Sequence, residues 1–482
     1  MLEPLAPSEW DRSKAMHLAT RAGFGGSSRE IDAMLDAGLA ASVDSLVQFP
    51  SAPSDDPPSW TSEPGDFTAM RQQLRNLDQD ERRQAIRQRQ QTNRRQLLEL
   101  ADWWLNRMRY SPYPLQEKLT LFLHGHFATS ARKVRNAGAM WRQNETFREL
   151  AGGEWRTLVK AMAKDPAMLI YLDGATSKKQ KPNENFAREL MELFTLGEGE
   201  YSEHDIQESA RAFTGYSLAR DRQSFQFREI WHDGGTKEFF GKRGNFDGDA
   251  IIEIILEQPQ ASRFIASKLW RFFTGAETID PGVVNLLGES FRRSGGVIAL
   301  WLGHVFRSKL FYHPDLIASQ IKGPIQWYIS ATKLLERNLV PMRYAQRMLD
   351  DLGQVPFMPP NVKGWDQGTA WITVSSLLAR FDYGKKLVEG GEMPLPRGGR
   401  DRQRPMRGDQ GLQGIPTLHF LSGMQGMDAD ILCDALESQL LVVPLKPERR
   451  REVVALLSSG LSPDQCQRAV AAIVASPEFQ LT

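Results

Sequence analysis

Apolar residues recur at helical spacing along most of this chain, and prolines and glycines separate one such stretch from the next. Residues 27–49 open with serines typical of helix caps. Residues 67–109 form a longer stretch that ends before Pro112 and Pro114. With 41% hydrophobic residues in 482, the chain can bury a large core. The pattern predicts a mainly α fold: a multi-helical single large domain with a small β-hairpin insertion and a C-terminal helical subdomain.

Changes in composition predict how this fold is divided. Residues 1–390 are expected to form the main helical domain, including a β-hairpin near residues 224–240, where aromatic residues alternate around Asp233-Gly234-Gly235. Residues 391–414 are rich in Pro, Gly and charge without periodicity, which predicts a mobile loop or linker. Residues 415–482 contain three short amphipathic stretches, which predict the small C-terminal helical subdomain.

Charge and motif content exclude several classes of function. The 60 Lys and Arg residues nearly balance 59 Asp and Glu, so we expect no nucleic acid and no membrane as partner. The arginines of residues 67–109 are interpreted as a solvated helix face, since acids are interleaved, with a nucleic-acid arm as the alternative. Cys433 and Cys466 are far apart and give no zinc or disulfide pattern. Without a P-loop or a GxGxxG motif, no nucleotide cofactor is predicted.

The first residues have no apolar signal core and no twin-arginine pair. For the chain as written this predicts a cytoplasmic location. The periplasm is the alternative if a partner exports the protein or if a signal has been removed.

The segment LTLFLHGHFATS places two of the chain's 8 histidines on either side of Gly125. If the helix continued through Gly125, the rings of His124 and His126 would point about 200° apart and could not hold one ion. If the helix ends at Gly125, a natural C-terminal cap, both rings could converge on one cavity. Histidines at a helix end that interact only with the helix dipole are the plainer alternative. Glu117, two turns earlier, suits a supporting position beside such a site.

A second polar cluster is expected on the helix of residues 182–197. Carboxylates around one arginine could form a metal-binding face or hold a general base. They could equally be the wet face of an amphipathic helix. The polar residues that share this side of the helix are Asn185, Glu189 and Glu192, with Glu184 and Arg188 close by.

Two further segments attract attention. His232 lies beside Asp233 at the predicted hairpin turn. The two residues could form an oriented acid–base pair, or His232 could be a third metal ligand. The alternative is an ordinary turn aspartate with a neighbouring aromatic-like ring. The segment GQVPFMPPNVKGWDQGTAWI, with three prolines, three glycines and two tryptophans, suits a pocket wall or lid. The alternative is that Trp365 and Trp371 are ordinary core residues.

Several segments together resemble the bacterial family called domain of unknown function 1800: EKLTLFLHGHFATS, PNENFARELMELFTLGEGEYSEHDIQESARAFTGYS, HDGGTKEFFG and LGQVPFMPPNVKGW. The resemblance extends from about His17 to Pro477. It implies that polar motifs on separate elements assemble in one place. Many members have a histidine where this chain has Phe194. Members often neighbour a sulfatase-like family, which implies a sulfatase-like protein as a possible partner. The motif positions implied are Glu117, His124, His126, Asn183, Glu184, Asn185, Arg188, Glu189, Glu192, Asp205, Arg211, His232, Asp233, Lys237 and Trp365.

We predict from these features a metal-dependent enzyme, a hydrolase or an oxidoreductase, acting on an unknown substrate. Imidazole and carboxylate ligands suit a divalent metal ion such as Fe, Mn or Zn. The predicted metal ligands are His124, His126, Glu184 and Glu192. The predicted catalytic residues are Glu189 as ligand or general base, Arg188 and Lys237 as substrate-holding cations, and His232 with Asp233 as an acid–base pair.

The alternative function is a non-catalytic binding or assembly partner of the sulfatase-like protein. In that hypothesis the same polar residues form buried, mutually satisfied networks that fix a helical scaffold. The enzyme hypothesis requires His124, Glu189 and His232 to converge in space.

Overall fold

The structure is a computed structural model that describes residues 2–50, 56–62, 67–393, 412–415, 427–458 and 462–482. Within these ranges the chain is mainly helical, with three small two-stranded sheets. The predicted mainly α fold class is thereby confirmed. None of the helices in these ranges has the length and apolar character needed to span a membrane.

The first half of the chain forms eleven α-helices, several of which begin at an Asp or Ser side chain that accepts a backbone N–H. As the prolines predict, the fourth helix ends before Pro112 and the fifth begins at Pro114. The helices are α1 (Arg12–Ala22), α2 (Ser28–Val47), α3 (Phe67–Asn76), α4 (Gln79–Tyr110), α5 (Pro114–His126), α6 (Ala131–Val134), α7 (Ala137–Leu150), α8 (Trp155–Ala163), α9 (Pro166–Tyr171), α10 (Glu184–Glu189) and α11 (Glu203–Ala212). A π-helical turn, Leu190–Thr195, continues α10.

The β structure differs from the single hairpin predicted near residues 224–240. Strand β1 (Tyr216–Leu218) pairs antiparallel with β2 (Phe225–Phe227), and β3 (Lys237–Phe239) pairs with β4 (Lys242–Gly244). The Asp233-Gly234-Gly235 segment therefore connects two hairpins instead of turning one. The physical reason is that Asp233 pairs with Arg211 of α11, while Asp221 caps the first turn through the N–H groups of Gln223 and Ser224.

The second half adds eleven α-helices, several with proline at the first position, where its missing N–H costs nothing. They are α12 (Gly248–Glu257), α13 (Pro259–Thr274), α14 (Pro281–Arg293), α15 (Ile298–Phe306), α16 (Pro324–Leu334), α17 (Met342–Leu352), α18 (Val374–Glu389), α19 (Ala429–Leu440), α20 (Pro447–Ser458), α21 (Pro463–Ala475) and α22 (Pro477–Gln480). Strands β5 (Gly390–Gly391) and β6 (Leu412–Gln413) form the third sheet. Most of the predicted linker lies outside the described residues.

Two large apolar clusters make up the core. One, the Phe194 cluster, includes Phe127 and Trp155. The other, the Trp327 cluster, joins α4 and α16 to the C-terminal helices, for example through Leu436 of α19. The helices predicted as a C-terminal subdomain thus pack into this shared core. Helix α5 contributes residues to both clusters and is buried on nearly all sides.

Because α5 is buried all round, its charged residues need partners inside the protein. Glu117 is 0% exposed and accepts hydrogen bonds from Arg107 Nε of α4 at 2.7 Å and from Arg148 Nε of α7 at 2.8 Å. Trp104 Nε1 donates to it at 3.1 Å. Although burial alone would raise the pKa of Glu117, the charges and hydrogen bonds of Arg148 and Arg107 outweigh it and hold the pKa below its ordinary value. This network ties α5 to two neighbouring helices.

We expect Glu117→Ala to lower the free energy of unfolding by about 3–5 kcal/mol, because it leaves two arginines without their buried anion. Urea denaturation at pH 7 measures this change. The contribution of Glu117 should be present above about pH 4.3 and decline as the pH falls further, since its pKa is lower folded than unfolded. Glu289→Ala, which breaks an exposed pair with Arg293, is the control and should change little. Equal effects of the two substitutions would contradict the assigned role.

Candidate functional site

The two histidines of α5 lie on one continuous helix. The backbone N–H of Phe127 donates to the carbonyl of Leu123 at 2.8 Å, and α5 ends only at His126. The helix therefore does not end at Gly125, and the two rings point to different parts of the core. Gly125 thus lies in the last turn of α5, where tertiary packing covers it.

A close backbone contact at Gly364 provides this packing. Gly364 has φ +89°, and a Cβ atom there would lie 2.1 Å from the carbonyl oxygen of Gly125. Only glycine therefore permits the loop between α17 and α18 to approach α5 this closely. The contact brings Trp365 of the loop against the helix, 3.6 Å from the position that a Cβ on Gly125 would occupy.

His124 is enclosed by aromatic rings. Its ring centroid lies 4.9 Å from that of Phe357, 5.2 Å from that of Trp104 and 5.6 Å from that of Phe147. Neither of its ring nitrogens has a hydrogen-bond partner in the part of the chain that the structure describes. Burial lowers the pKa of His124 to about 3. It is therefore a neutral ring at physiological pH.

His126 occupies the Phe194 cluster. Its Nε2 lies 3.0 Å from the carbonyl oxygen of Phe194, which assigns the proton to Nε2 because a carbonyl only accepts. Its ring centroid lies 5.6 Å from Phe122 in a stacked arrangement and 5.3 Å from Trp155. Burial, together with the charge of Lys268, holds the pKa of His126 well below its ordinary value. Position 194, where the resemblance implies a histidine, is thus in direct contact with His126.

Two carboxylates of α10 and the π-helical turn, Glu184 and Glu192, have partners of their own. Arg188 forms a bidentate pair with Glu203, at 2.8 and 2.9 Å, and lies 4.0 Å from Glu184. Glu192 accepts a hydrogen bond from the hydroxyl of Tyr201 at 3.0 Å. The pKa of Glu189 is raised by partial burial and by the neighbouring charge of Glu192. This face is a network of paired polar groups at the protein surface.

The residues between the two hairpins form another network. His232 Nδ1 lies 2.8 Å from the carbonyl of Thr214, and Asp233 binds Arg211 Nε at 2.8 Å. Asp233 therefore does not orient His232 as the predicted acid–base pair requires. The hydrogen bond and charge of Arg211 lower the pKa of Asp233 to about 2. Lys237 Nζ donates to the carbonyls of Asp233 at 2.6 Å and Gly235 at 3.1 Å.

The predicted site residues thus have separate sets of contacts: two aromatic pockets, the face of α10 and the hairpin connection. Among the described residues, no group of three or more His, Cys, Asp and Glu side chains is arranged to hold a metal ion. The predicted ligands His124, His126, Glu184 and Glu192 therefore form no ready-made chelate. Metal binding itself stays a prediction.

A cavity of about 270 Å³ lies between α5, α13, α16 and the loop that follows α17. We call it the basic cavity because four cations line it: Lys118, Lys268, Arg271 and Lys363. Of the described residues that line it, only Asp366 is acidic. Gly125, His126 and Trp365 also line the cavity, as do Phe122, Phe272, Trp371 and the amides of Gln320, Gln326, Gln354 and Gln367. The loop therefore forms a pocket wall, while Trp365 and Trp371 are also buried core residues of the Trp327 cluster, so both interpretations of its sequence hold.

The two inner lysines have only neutral hydrogen-bond partners. Lys118, 2% exposed, donates to Gln326 Oε1 at 2.6 Å, and Lys268 donates to the carbonyl of Leu193 at 3.1 Å. Burial lowers the pKa of Lys268 to about 8, with a smaller effect of the Arg271 charge. Burial likewise holds the pKa of Lys118 well below its ordinary value. Both lysines would be stabilised in their charged form by an anion.

Sequence reasoning missed Lys118, Lys268 and Arg271. A lysine inside the apolar run EKLTLFL was a signal for Lys118, since such a charge is rarely buried without purpose. Lys268 and Arg271 gave no such signal, because cations on an amphipathic helix usually face solvent.

Comparisons with known proteins agree with the sequence resemblance. Residues 17–481 match the model of a family described as a protein of unknown function, DUF1800. The chain belongs to this family. No curated protein and no solved structure matched the chain. The DUF1800 assignment therefore establishes kinship over nearly the whole chain, and the chemistry must be argued from the residues themselves.

The positions of His124 and His126 lead to a prediction for the metal content of the purified protein. Protein purified without a histidine tag should contain substoichiometric Fe, Mn and Zn by elemental mass spectrometry, because the His124 and His126 rings diverge. The His124→Ala/His126→Ala variant, checked for folding by circular dichroism, should give the same metal content. Near-stoichiometric metal that disappears in a folded variant would contradict this expectation and restore the predicted metal centre.

Proposed function

We propose that this DUF1800 protein binds a small anionic ligand in the basic cavity and acts as a binding protein. The observation that carries the proposal is that Lys118, Lys268 and Arg271 line one cavity and form no ion pair with any described residue. Lys363 has a carboxylate only at 3.9 Å, Glu198, on the exposed side of the loop. Four cations therefore line the cavity against a single carboxylate among its described lining residues, Asp366.

Energetics favour an anion over a neutral ligand. A buried cation without a counter-charge is costly, and neutral oxygens compensate for its lost hydration only in part. Each hydrogen bond between a charged donor and an anionic oxygen contributes about 1.5–3 kcal/mol. An anion that contacts Lys268 and Arg271 gains such bonds and also holds Lys118 in its charged form. The glutamine amides around the cavity supply further donors for its oxygens.

The size and walls of the cavity limit the ligand class. Pockets for small molecules usually measure about 300–1,000 Å³, so a cavity of about 270 Å³ suits a compact ligand. Phe122, Phe272, Trp365 and Trp371 give it apolar walls beside the cations. Sulfate, phosphate and small carboxylates, alone or on a compact organic body, meet both requirements.

This proposal shares a non-catalytic role with the second sequence hypothesis, a binding or assembly partner of a sulfatase-like protein, but differs from it in the ligand. The paired networks around Glu117, Arg188 and Arg211 support it, because their polar groups already satisfy one another. A metal-dependent hydrolase or oxidoreductase stays a prediction for which the described side chains offer no assembled ligand set. The sulfatase-like partner also stays a prediction.

Isothermal titration calorimetry with sulfate, inorganic phosphate and citrate tests the proposal. At least one of the three should bind the wild-type chain at pH 7. The Lys268→Gln/Arg271→Gln variant should bind it about tenfold or more weakly, because two charge-assisted hydrogen bonds are lost. The matched control, Arg243→Gln/Lys385→Gln, removes two exposed cations outside the cavity and should bind as wild type. An absence of binding for all three anions, or equal affinity of both variants, would overturn the proposal.

The pKa of Lys268 predicts a pH dependence of binding. With a pKa of about 8, the lysine is about nine-tenths protonated at pH 7 and about one-tenth at pH 9. Affinity for sulfate, which keeps its charge over this range, should therefore be nearly full at pH 7 and fall as the pH rises through about 8. The same titrations at pH 7, 8 and 9 measure this fall. In the Lys268→Gln variant, sulfate affinity should depend less on pH. If its pH dependence were unchanged, a group other than Lys268 would be responsible for it.

A further inference from the structure

A wide groove far from the predicted site residues carries a strong positive charge. It measures about 1,220 Å³ and is lined by α4, α6 and the turn between β1 and β2, with residues of α3 at one end. None of its described lining residues is Asp or Glu. Six of them are arginines: Arg89, Arg94, Arg132, Arg135, Arg220 and Arg222. We call it the arginine groove.

The described residues that line the arginine groove include no carboxylate, so any acid that offsets its charge lies outside this lining. The nearest acidic contact of Arg132 is Asp350 at 4.0 Å, the limit for an ion pair. Asp221, beside two of the arginines in sequence, accepts hydrogen bonds from Gln223 and Ser224. Partial burial and the nearby charge of Arg222 lower the pKa of Arg89, so like charges approach one another across the groove. Such a surface attracts anions even though the chain as a whole is nearly neutral.

The groove is also partly apolar. Ile86 projects into it with 44% of its surface exposed, and Leu74, Leu98 and Met358 also line it. None of the described lining residues has an aromatic ring. Proteins usually hold single-stranded nucleic acid through bases that stack on aromatic side chains. The groove has arginines that could bind phosphates, but its described lining has no aromatic ring on which a base could stack. Aliphatic side chains between arginines match instead a protein segment with apolar and acidic residues.

We propose that the arginine groove binds an acidic amphipathic helix of a partner protein. The apolar side of such a helix would pack on Ile86 and Leu98, and its carboxylates would pair with the surrounding arginines. A helix about 10–12 Å wide that rises 1.5 Å per residue occupies roughly 120–170 Å³ per residue. The groove thus accommodates about two to three turns. Bidentate pairing suits arginine, which explains why these cations are arginines and not lysines.

Fluorescence anisotropy with a defined probe tests the proposal. The probe is a fluorescein-labelled 12-residue peptide with Glu and Leu at amphipathic helical spacing, titrated with the full chain at physiological salt. The Arg94→Glu/Arg222→Glu variant should bind it about tenfold or more weakly. The control, Arg29→Glu/Arg243→Glu, changes the net charge equally at exposed sites outside the groove and should bind within about twofold of wild type. Arg94→Gln/Arg222→Gln serves if the charge reversal impairs folding.

Two further probes distinguish an acidic amphipathic helix from other ligands of the arginine groove. A peptide with the same number of Glu residues but Ser in place of Leu should bind more weakly, and Ile86→Ser should reduce the difference. Equal binding of both peptides, or equal effects of the groove and control variants, would overturn the proposal. Tighter binding of a 12-nucleotide single strand than of the peptide, lost in the groove variant, would overturn it in favour of nucleic acid.

Discussion

The ion pairs of Glu117 with Arg107 and Arg148 determine how the centre of this protein is built. They fix the register of α5 against α4 and α7, inside a region where an unpaired charge would be prohibitively costly. The directions in which the other side chains of α5 point follow from that register. Lys118, one residue on, faces the basic cavity, while His124 and His126 turn toward opposite apolar clusters. The network therefore positions the helix that carries Lys118, although none of its own residues lines the cavity.

The polar groups described above are of two kinds, which differ in whether a charged group has a partner of opposite charge. Glu117, Arg211 and Arg188 each bind an opposite charge within the protein. Lys118 and Lys268 bind only neutral oxygens. The first kind fixes the fold, and the second leaves an interaction open to a ligand. This contrast favours binding in the cavity over chemistry at the residues that the sequence motifs emphasise.

The sequence predicted what depends on local chemistry. Proline at 112 and 114 set the boundary between α4 and α5, and the composition of residues 353–372 identified a pocket wall. Prediction from the sequence failed where contacts between distant residues determine the local structure. One interpretation made Gly125 a helix cap, but α5 continues to His126, and Gly364 contacts this last turn. Asp233 was assigned to a hairpin turn and to His232, but Arg211 binds it from α11. Neither contact can be deduced from spacing along the chain.

The contact of Gly364 with Gly125 determines how one wall of the basic cavity can move. Loop and helix touch backbone to backbone, so no side chain between them can rotate aside to separate them. Moving this wall away from α5 therefore requires the loop backbone itself to move. Backbone movements of this kind take longer than side-chain rotation. The absence of one methyl group at Gly364 thus makes this wall slower to open than one closed by a side chain.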